Sequence, residues 1–187
     1  MAIRWDKFTV KSQEAVQTAS HLAAENGNPE ILPLHLLAVL LADKEGVIPA
    51  VLEKIGVPTD KLESRALDAV SQLPKVSGSA AQPGASNALN QVFDQAFKEA
   101  ENFKDDYVST EHLLLALTRQ KNDGAQLLLA SVGATHDAVL KSLTSVRGSQ
   151  RVTDQNPEAK YQALEKYAKD LNELARRGKL DPVIGRD

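Results

Sequence analysis

Apolar residues recur along most of the chain at the three- and four-residue steps that are typical of amphipathic helices. The first stripe predicts a helix that begins after a Thr9 cap and runs to about Asn26, where Gly27-Asn28-Pro29 stops it. A second helix begins at Pro33, a residue that suits the first helical position, and runs to about Asp43. This second helix is apolar nearly all round, so we expect it to be central in the fold.

Two further helices complete a first set, and a similar set follows. A short third helix ends at Gly56, and a fourth runs from about Thr59 to Leu73 with Asp60 in its first turn. Residues 74–86 are rich in Gly, Pro, Ser and Ala and predict a flexible connector. The first helix of the second set runs from Asn87 to about Phe103, and the next begins after a cap at Ser109 or Thr110. A short third helix ends at Gly133, and the last begins with Thr135 and Asp137 and reaches about Val146. No segment of useful length alternates as a strand would.

The two sets align when the sequence is shifted by 77 positions. His35-Leu36-Leu37 then falls on His112-Leu113-Leu114, and Gly56 falls on Gly133. Other identical pairs are Ala19 and Ala96, Ala23 and Ala100, Leu40 and Leu117, Leu52 and Leu129, and Asp60 and Asp137. We therefore predict an all-α fold in which two pseudo-twofold repeats of four helices each, about 9–73 and 87–146, form one domain over residues 1–146.

The remaining residues lie outside the repeat. Residues 147–156 are polar and predict a linker. From Pro157 to Arg177 a charged segment carries apolar residues at helical spacing, which predicts a C-terminal extension helix that needs a partner for its apolar stripe.

Composition excludes several classes of function. Of 187 residues, 42% are hydrophobic and only 4% aromatic, so the core must be aliphatic. Residues 1–145 contain 13 Lys and Arg against 18 Asp and Glu, a net charge of −5, which argues against nucleic-acid binding. The absence of cysteine excludes disulfides and thiolate chemistry and is compatible with a cytoplasmic location. No apolar run approaches the roughly 20 residues of a membrane span, and the first residues lack the apolar stretch of a signal peptide.

The sequence contains no recognisable catalytic motif. Gly178-Lys179 is followed by Leu180 and lacks the upstream glycine of a phosphate-binding loop. His35 and His112 occupy matching positions near helix starts, so we expect each to hydrogen-bond nearby backbone or the facing repeat rather than a metal. We expect His21 and His136 to be surface residues. The chain is accordingly not predicted to be an enzyme or to hold a cofactor or metal of its own.

Two features leave alternatives open. Asp105 and Asp106 precede the helix that carries Glu111, and they form either a solvated turn, a catalytic or cation-binding pair, or a polar rim for ligand peptides. Most of the apolar stripes must be core. Helix grooves at the interface between two repeats can nevertheless accept apolar peptide side chains, so a functional groove is the main candidate site.

Three stretches resemble known proteins. The double repeat, with the segment Glu111-His112-Leu113-Leu114-Leu115-Ala116-Leu117, resembles the Clp amino-terminal repeat domain. The segments Val152-Thr153-Asp154-Gln155-Asn156-Pro157-Glu158 and Tyr161 to Tyr167 resemble the linker and lead-in helix of ClpB-type disaggregases. Lys179 to Asp187 is similar to the opening of the first AAA+ ATPase module of Clp proteins.

The resemblance implies a longer, hexameric, ATP- and Mg-dependent chaperone of the cytoplasm. Such a protein threads aggregated proteins through a central pore with a DnaK-type chaperone system. In the family the amino-terminal domain engages unfolded or aggregated clients, and neither nucleic acid nor membrane is a partner.

The resemblance also implies roles for individual residues. Thr9, Asp105 and Glu111 match polar positions near the family's substrate surface. Pro182, Val183, Ile184 and Gly185 match the family segment that lies along the adenine of ATP in the full module. Some relatives have apolar residues where this chain has Gln95 and Glu99, so the extent of an apolar groove is an open question.

Three functions follow as hypotheses. The domain binds exposed apolar segments of misfolded proteins for a threading motor, or it docks a folded adaptor as in protease-linked Clp proteins. The third possibility is a regulatory brake in which the helix from Pro157 packs on the motor.

Overall fold

Eight α-helices account for most of the computed structural model, which describes residues 4–76, 82–148, 150–155 and 157. The helices are α1 (Val10–Glu25), α2 (Pro33–Ala42), α3 (Val47–Ile55), α4 (Thr59–Ser71), α5 (Asn87–Asn102), α6 (Thr110–Thr118), α7 (Gly124–Ser131) and α8 (His136–Arg147). Two strands of two residues each, β1 (Glu30–Ile31) and β2 (Gly84–Ala85), complete the described secondary structure, with a short 3-10 turn at Trp5–Lys7. The predicted order of two sets of four helices is confirmed.

Matching residues begin and end matching helices. Thr9 accepts a hydrogen bond from the Ser12 amide at the start of α1, and Ser86, 77 positions later, caps α5 in the same way. Ser109 rather than Thr110 is the residue before α6. Gly56 ends α3 with φ +92°, a backbone conformation that residues other than glycine adopt only at a cost in free energy.

The second helix of each repeat lies at the centre of the fold. α2 packs against α1, α4 and α6, and α6 packs against α5, α7 and α8. Nearly every side chain of these two short helices is buried. The predicted central position of α2 is therefore confirmed, and its counterpart α6 shares it.

Short parallel pairings connect each repeat to the other. Glu30 and Ile31 of the first repeat pair with Gly84 and Ala85, which lead into the second repeat. By the same 77-residue relation, Phe8, which leads into the first repeat, pairs with Val108 of the second. The sequence predicts a flexible connector at Gly84 and Ala85 and no strand. That prediction is wrong for these two residues, because their pairing is too short to produce an alternating pattern.

The segment after α8 packs on the domain. The amide of Asp106 donates to the carbonyl oxygen of Val152 at 2.8 Å, and the amide of Val10 donates to the carbonyl oxygen of Gln155 at 2.8 Å. Val152 is fully buried. Residues 150–155 of the predicted linker therefore contact the double repeat, whereas the extension helix predicted beyond Pro157 lies outside the described residues.

Candidate functional site

Each repeat fixes the histidine near the start of its second helix with two hydrogen bonds. In the first repeat, Nδ1 of His35 accepts from the amide of Leu32 at 2.9 Å, and Nε2 lies 2.8 Å from Oδ1 of Asn28. Because Nδ1 accepts, the ring is neutral and Nε2 carries the proton that it donates to Asn28. Burial lowers the pKa of His35 in agreement with a neutral ring. The prediction of a backbone-bonded histidine is confirmed.

The second repeat makes the same arrangement with a charged partner. Nδ1 of His112 accepts from the amide of Ser109 at 2.8 Å, and Nε2 donates to Oδ2 of Asp105 at 2.7 Å. Asp105 occupies the position that matches Asn28. Burial lowers the pKa of His112 despite the neighbouring carboxylate. The two histidine sites are therefore structural equivalents, one neutral and one ionic.

Asp105 connects this histidine to the segment that follows α8. Arg147 donates from both terminal nitrogens to its two carboxylate oxygens, at 2.8 and 2.7 Å, and the amide of Val152 donates to Oδ1 at 2.9 Å. Burial raises the pKa of Asp105, but the hydrogen bonds from His112, Arg147 and Val152 outweigh it and lower that pKa to about 2. The expectation of a solvated turn is therefore wrong for Asp105, whose side chain is fully buried, and holds for the exposed Asp106.

The three residues that the resemblance assigns to substrate binding are all interior in this fold. Thr9 is fully buried and its amide donates to the carbonyl oxygen of Val108, while Glu111 accepts a short hydrogen bond from the hydroxyl of Ser109. With Asp105 they line the junction where the start of α1, the start of α6 and the segment after α8 meet. Their side chains do not form an exposed rim, and a role in client contact stays a proposal.

An open groove of about 550 Å³ runs between α1 and α2 of the first repeat. Its buried floor contains Ala15 and Ala38, its walls contain the half-buried Leu22, and Leu67 of α4 borders it with 42% of its surface exposed. Among the described residues, Thr110 is the one that the second repeat contributes to its lining. This groove therefore lies mainly within the first repeat and not at the expected repeat interface, where α2 packs on α6.

Charged residues border this groove unevenly. Nζ of Lys11 lies 3.8 Å from Oδ2 of Asp43, so these two charges compensate one another. Glu14 and Glu25 lie on the exposed side of α1 at either end of the groove. The rim is therefore acidic on balance.

The matching region of the second repeat contains a polar cluster. Glu99, at the position of Leu22, is 2% exposed and accepts hydrogen bonds from Nε of Arg119 at 3.1 Å and Nε2 of His136 at 2.8 Å. Nε2 of Gln95 donates to the same oxygen at 3.2 Å. Burial raises the pKa of Glu99, but these hydrogen bonds outweigh it and lower that pKa. The first repeat therefore has an open apolar groove where the second has buried polar side chains.

The helical pattern does not reveal this cluster, and the prediction that His136 is a surface residue is wrong because its ring is mostly buried against Glu99. His21 is exposed as predicted. Alignment of the two repeats could have indicated this cluster. Leu22 and Ala42 align with Glu99 and Arg119, so a carboxylate and a guanidinium together replace an apolar and a small residue.

Other kinds of site receive no support from the described part of the chain. No group of histidine and acidic side chains there could hold a metal ion. No described helix has the length and apolarity that a membrane span needs. The proposed adenine contacts at Pro182, Val183, Ile184 and Gly185 lie outside the described residues.

Comparisons with known sequences point to one family. Residues 7–132 match the model of the Clp repeat (R) N-terminal domain. The chain is 44% identical over 185 residues to the chaperone protein ClpB of Bacillus cereus and 47% identical over 180 residues to that of Corynebacterium glutamicum. These alignments cover 97% and 96% of this chain and 21% of each relative, so the chain spans about a fifth of the relatives' length.

Comparisons with solved structures agree on the fold. The Hsp104 N-terminal domain from Candida albicans superposes with a TM-score of 0.73 at 23% identity, over 81% of this chain and 99% of that one. A complex of the ClpV N-domain with a VipB peptide superposes with a TM-score of 0.62 at 22% identity, over 74% and 86% of the respective chains. The family match is to a repeat domain at residues 7–132, in agreement with the prediction that this chain is not itself catalytic. The chain belongs to the Clp repeat N-terminal domain family, and its sequence is similar to a fifth of the length of ClpB chaperones.

Proposed function

We propose that this chain is the substrate-engaging domain of an ATP-dependent disaggregase and that it binds exposed apolar segments of misfolded or aggregated proteins. The observation that carries the proposal is the open groove between α1 and α2, with its apolar floor and the exposed Leu67 at its edge. Its volume of about 550 Å³ lies within the range of about 300–1,000 Å³ that is usual for ligand sites.

The longer protein in this proposal supplies everything beyond capture. It is a cytoplasmic homohexamer that works with a DnaK-type chaperone system, and its ATPase modules bind ATP and Mg. Pro182, Val183, Ile184 and Gly185 would lie along the adenine in the first of these modules. Because one groove buries little surface, each contact is weak, and six copies on one ring would provide useful avidity.

The test is a titration of the isotope-labelled 187-residue chain, followed by amide NMR shifts. Reduced and alkylated lysozyme serves as an unfolded client, and native lysozyme as its folded control. We expect shifts along α1 and α2 with the unfolded client alone. No shift at high micromolar client would contradict the proposal.

A matched pair of variants locates the site. Leu22→Glu places in the groove the residue type that the second repeat has at the matching position, so it should weaken client binding at least tenfold. Leu127→Glu alters an exposed leucine that does not line the groove and should leave binding unchanged. Equal loss in both variants would exclude the groove as the site.

Thr9, Asp105 and Glu111 remain part of the proposal in a different role. Because their side chains are buried, we infer that any effect they have on clients acts through the junction that they hold together. Substitution at Asp105 should therefore lower client binding only as far as it lowers stability, whereas Leu22→Glu should lower client binding by more than its effect on stability explains.

Adaptor docking is the second candidate function. It is favoured by the ClpV N-domain, a structural neighbour whose complex contains a VipB peptide. An adaptor platform would capture a defined folded protein and would ignore the unfolded client in the NMR titration, so the same experiment distinguishes the two functions.

A further inference from the structure

The open groove of the first repeat has a shape and a charge pattern that select its occupant. We propose that it binds an amphipathic helix of about four turns that carries two basic residues eleven positions apart. This inference rests on the proposed function and names the class of segment that the groove takes, whether a client or an adaptor supplies it.

The walls of the groove favour a helix over an extended segment. Both walls, α1 and α2, are helices whose backbone groups bond internally, so neither offers a sheet edge to an incoming chain. Among the polar side chains, the hydroxyl of Thr18 already donates to the carbonyl oxygen of Glu14 at 2.9 Å. An extended segment would leave amide groups unpaired on an apolar floor, whereas a helix satisfies its own.

The length of the groove sets the length of the occupant. Its lining residues on α1 run from Lys11 to Glu25, which at about 1.5 Å per residue corresponds to about 21 Å. A helix of about 14 residues, or four turns, covers that distance. The apolar lining then calls for apolar residues at every third or fourth position of the occupant.

Two carboxylates set the charge pattern. Glu14 and Glu25 are eleven residues apart, which is about three helical turns, so they lie on the same side of α1 about 16 Å apart. Both are exposed, and in the described part of the chain neither forms an ion pair, in contrast to Asp43, which pairs with Lys11. Glu25 is also the last residue of α1, where the helix dipole disfavours a negative charge. Basic residues at the same spacing on a partner helix would compensate both carboxylates.

The second repeat differs at the matching positions. Gln91 and Asn102 stand where the first repeat has Glu14 and Glu25, and the buried Glu99, bonded to Arg119, stands where the first repeat has Leu22. Helix binding is therefore assigned to one repeat of the pair.

Three designed peptides of 16 residues test the proposal on the 187-residue chain by fluorescence anisotropy. The first is an amphipathic helix with an apolar stripe and two lysines eleven positions apart. The second is the same peptide with its central residue replaced by proline, and the third replaces both lysines by glutamate. We expect the first to bind at least tenfold more tightly than the second and about tenfold more tightly than the third at low salt, with the charge effect shrinking in 0.5 M salt.

Charge variants of the domain complete the test. Glu14→Gln with Glu25→Gln should weaken binding of the lysine peptide about three- to tenfold, because exposed ion pairs contribute modestly. Glu53→Gln with Glu101→Gln removes two exposed carboxylates elsewhere and should have no effect.

The outcomes separate this inference from the proposed function. Equal affinity for the helical and proline-broken peptides, with both lost in Leu22→Glu, would overturn the helix and leave the apolar groove in place. Equal affinity for the lysine and glutamate peptides would overturn the charge pattern. If neither the peptides nor unfolded lysozyme perturbs α1 and α2, the proposed function itself fails.

Discussion

The buried pair of Asp105 and Arg147 provides a test of how the two repeats differ. In the first repeat the matching positions hold Asn28 and Val70. The neutral Asn28 accepts the hydrogen bond from the histidine there, whereas in the second repeat the acceptor Asp105 is ionised and paired with Arg147. Asp105→Asn keeps an oxygen that can accept from Nε2 of His112, but it leaves the Arg147 guanidinium buried without its counter-ion.

The structure sets the expected magnitude. Both side chains are almost completely buried, and removing one partner of a buried ion pair costs about 3–5 kcal/mol. For a domain of this size that loss lowers Tm by roughly 10 °C. Arg147→Val alone should cost a similar amount, because it leaves the carboxylate of Asp105 with fewer donors.

The double variant Asp105→Asn with Arg147→Val should recover most of the loss. It recreates the neutral pair of the first repeat, and a residual cost of about 1 kcal/mol follows from the lost packing of Arg147 on Phe103 and its hydrogen bond to the carbonyl oxygen of Gln150. Urea unfolding of the four proteins, monitored by circular dichroism, gives the coupling free energy. Additive losses, with a coupling below about 0.5 kcal/mol, would refute the equivalence of the two sites.

Further predictions concern pH and local conformation. The pKa of Asp105 falls from 3.8 to about 2 on folding, so its ionisation contributes about 2 kcal/mol to the free energy of unfolding above pH 3.8. This contribution is lost as the pH falls through about 2. Urea titrations at several pH values should show the loss in the wild type and not in the double variant. Burial lowers the pKa of His112 below 6.5, so the unfolded chain takes up a proton first and stability should decline as the pH falls below 6.5, a decline that His112→Asn should reduce. Ser86→Ala removes the cap of α5 and should cost about 1 kcal/mol in urea unfolding, whereas Ser145→Ala, at an exposed position, should cost little. Gly133→Ala places a side chain at φ +81° and should cost about 1 kcal/mol, although no atom lies within 4 Å of the added carbon, and an unchanged Tm would contradict this.

Helical periodicity predicted the fold because burial decides helix positions here. The Thr9 cap, the proline at the start of α2 and the glycine that ends α3 are local signals, and each helix lies close to its predicted bounds. The repeat also predicted that His35 and His112 are equivalent residues with matching roles, because one alignment relates both sites.

The candidate site was harder to predict because its character depends on contacts between distant residues. Glu99 meets His136 from 37 positions away, and Asp105 meets Arg147 from 42. A sequence pattern shows that such residues are polar but not that they are buried together. The same limit explains why the groove was expected between the repeats instead of along α1 and α2.

The exchanged pairings of Phe8 with Val108 and of Ile31 with Ala85 have a consequence for how such a domain could arise. A single repeat on its own would have a leading segment without a pairing partner, and a backbone position without the segment that pairs with it. Two copies that exchange these segments satisfy both, so the smallest self-sufficient form of an ancestor with one repeat is a symmetric dimer. In the 187-residue chain each repeat has its partner within the same chain, so the two halves can differ in sequence, as they do at Leu22 and Glu99.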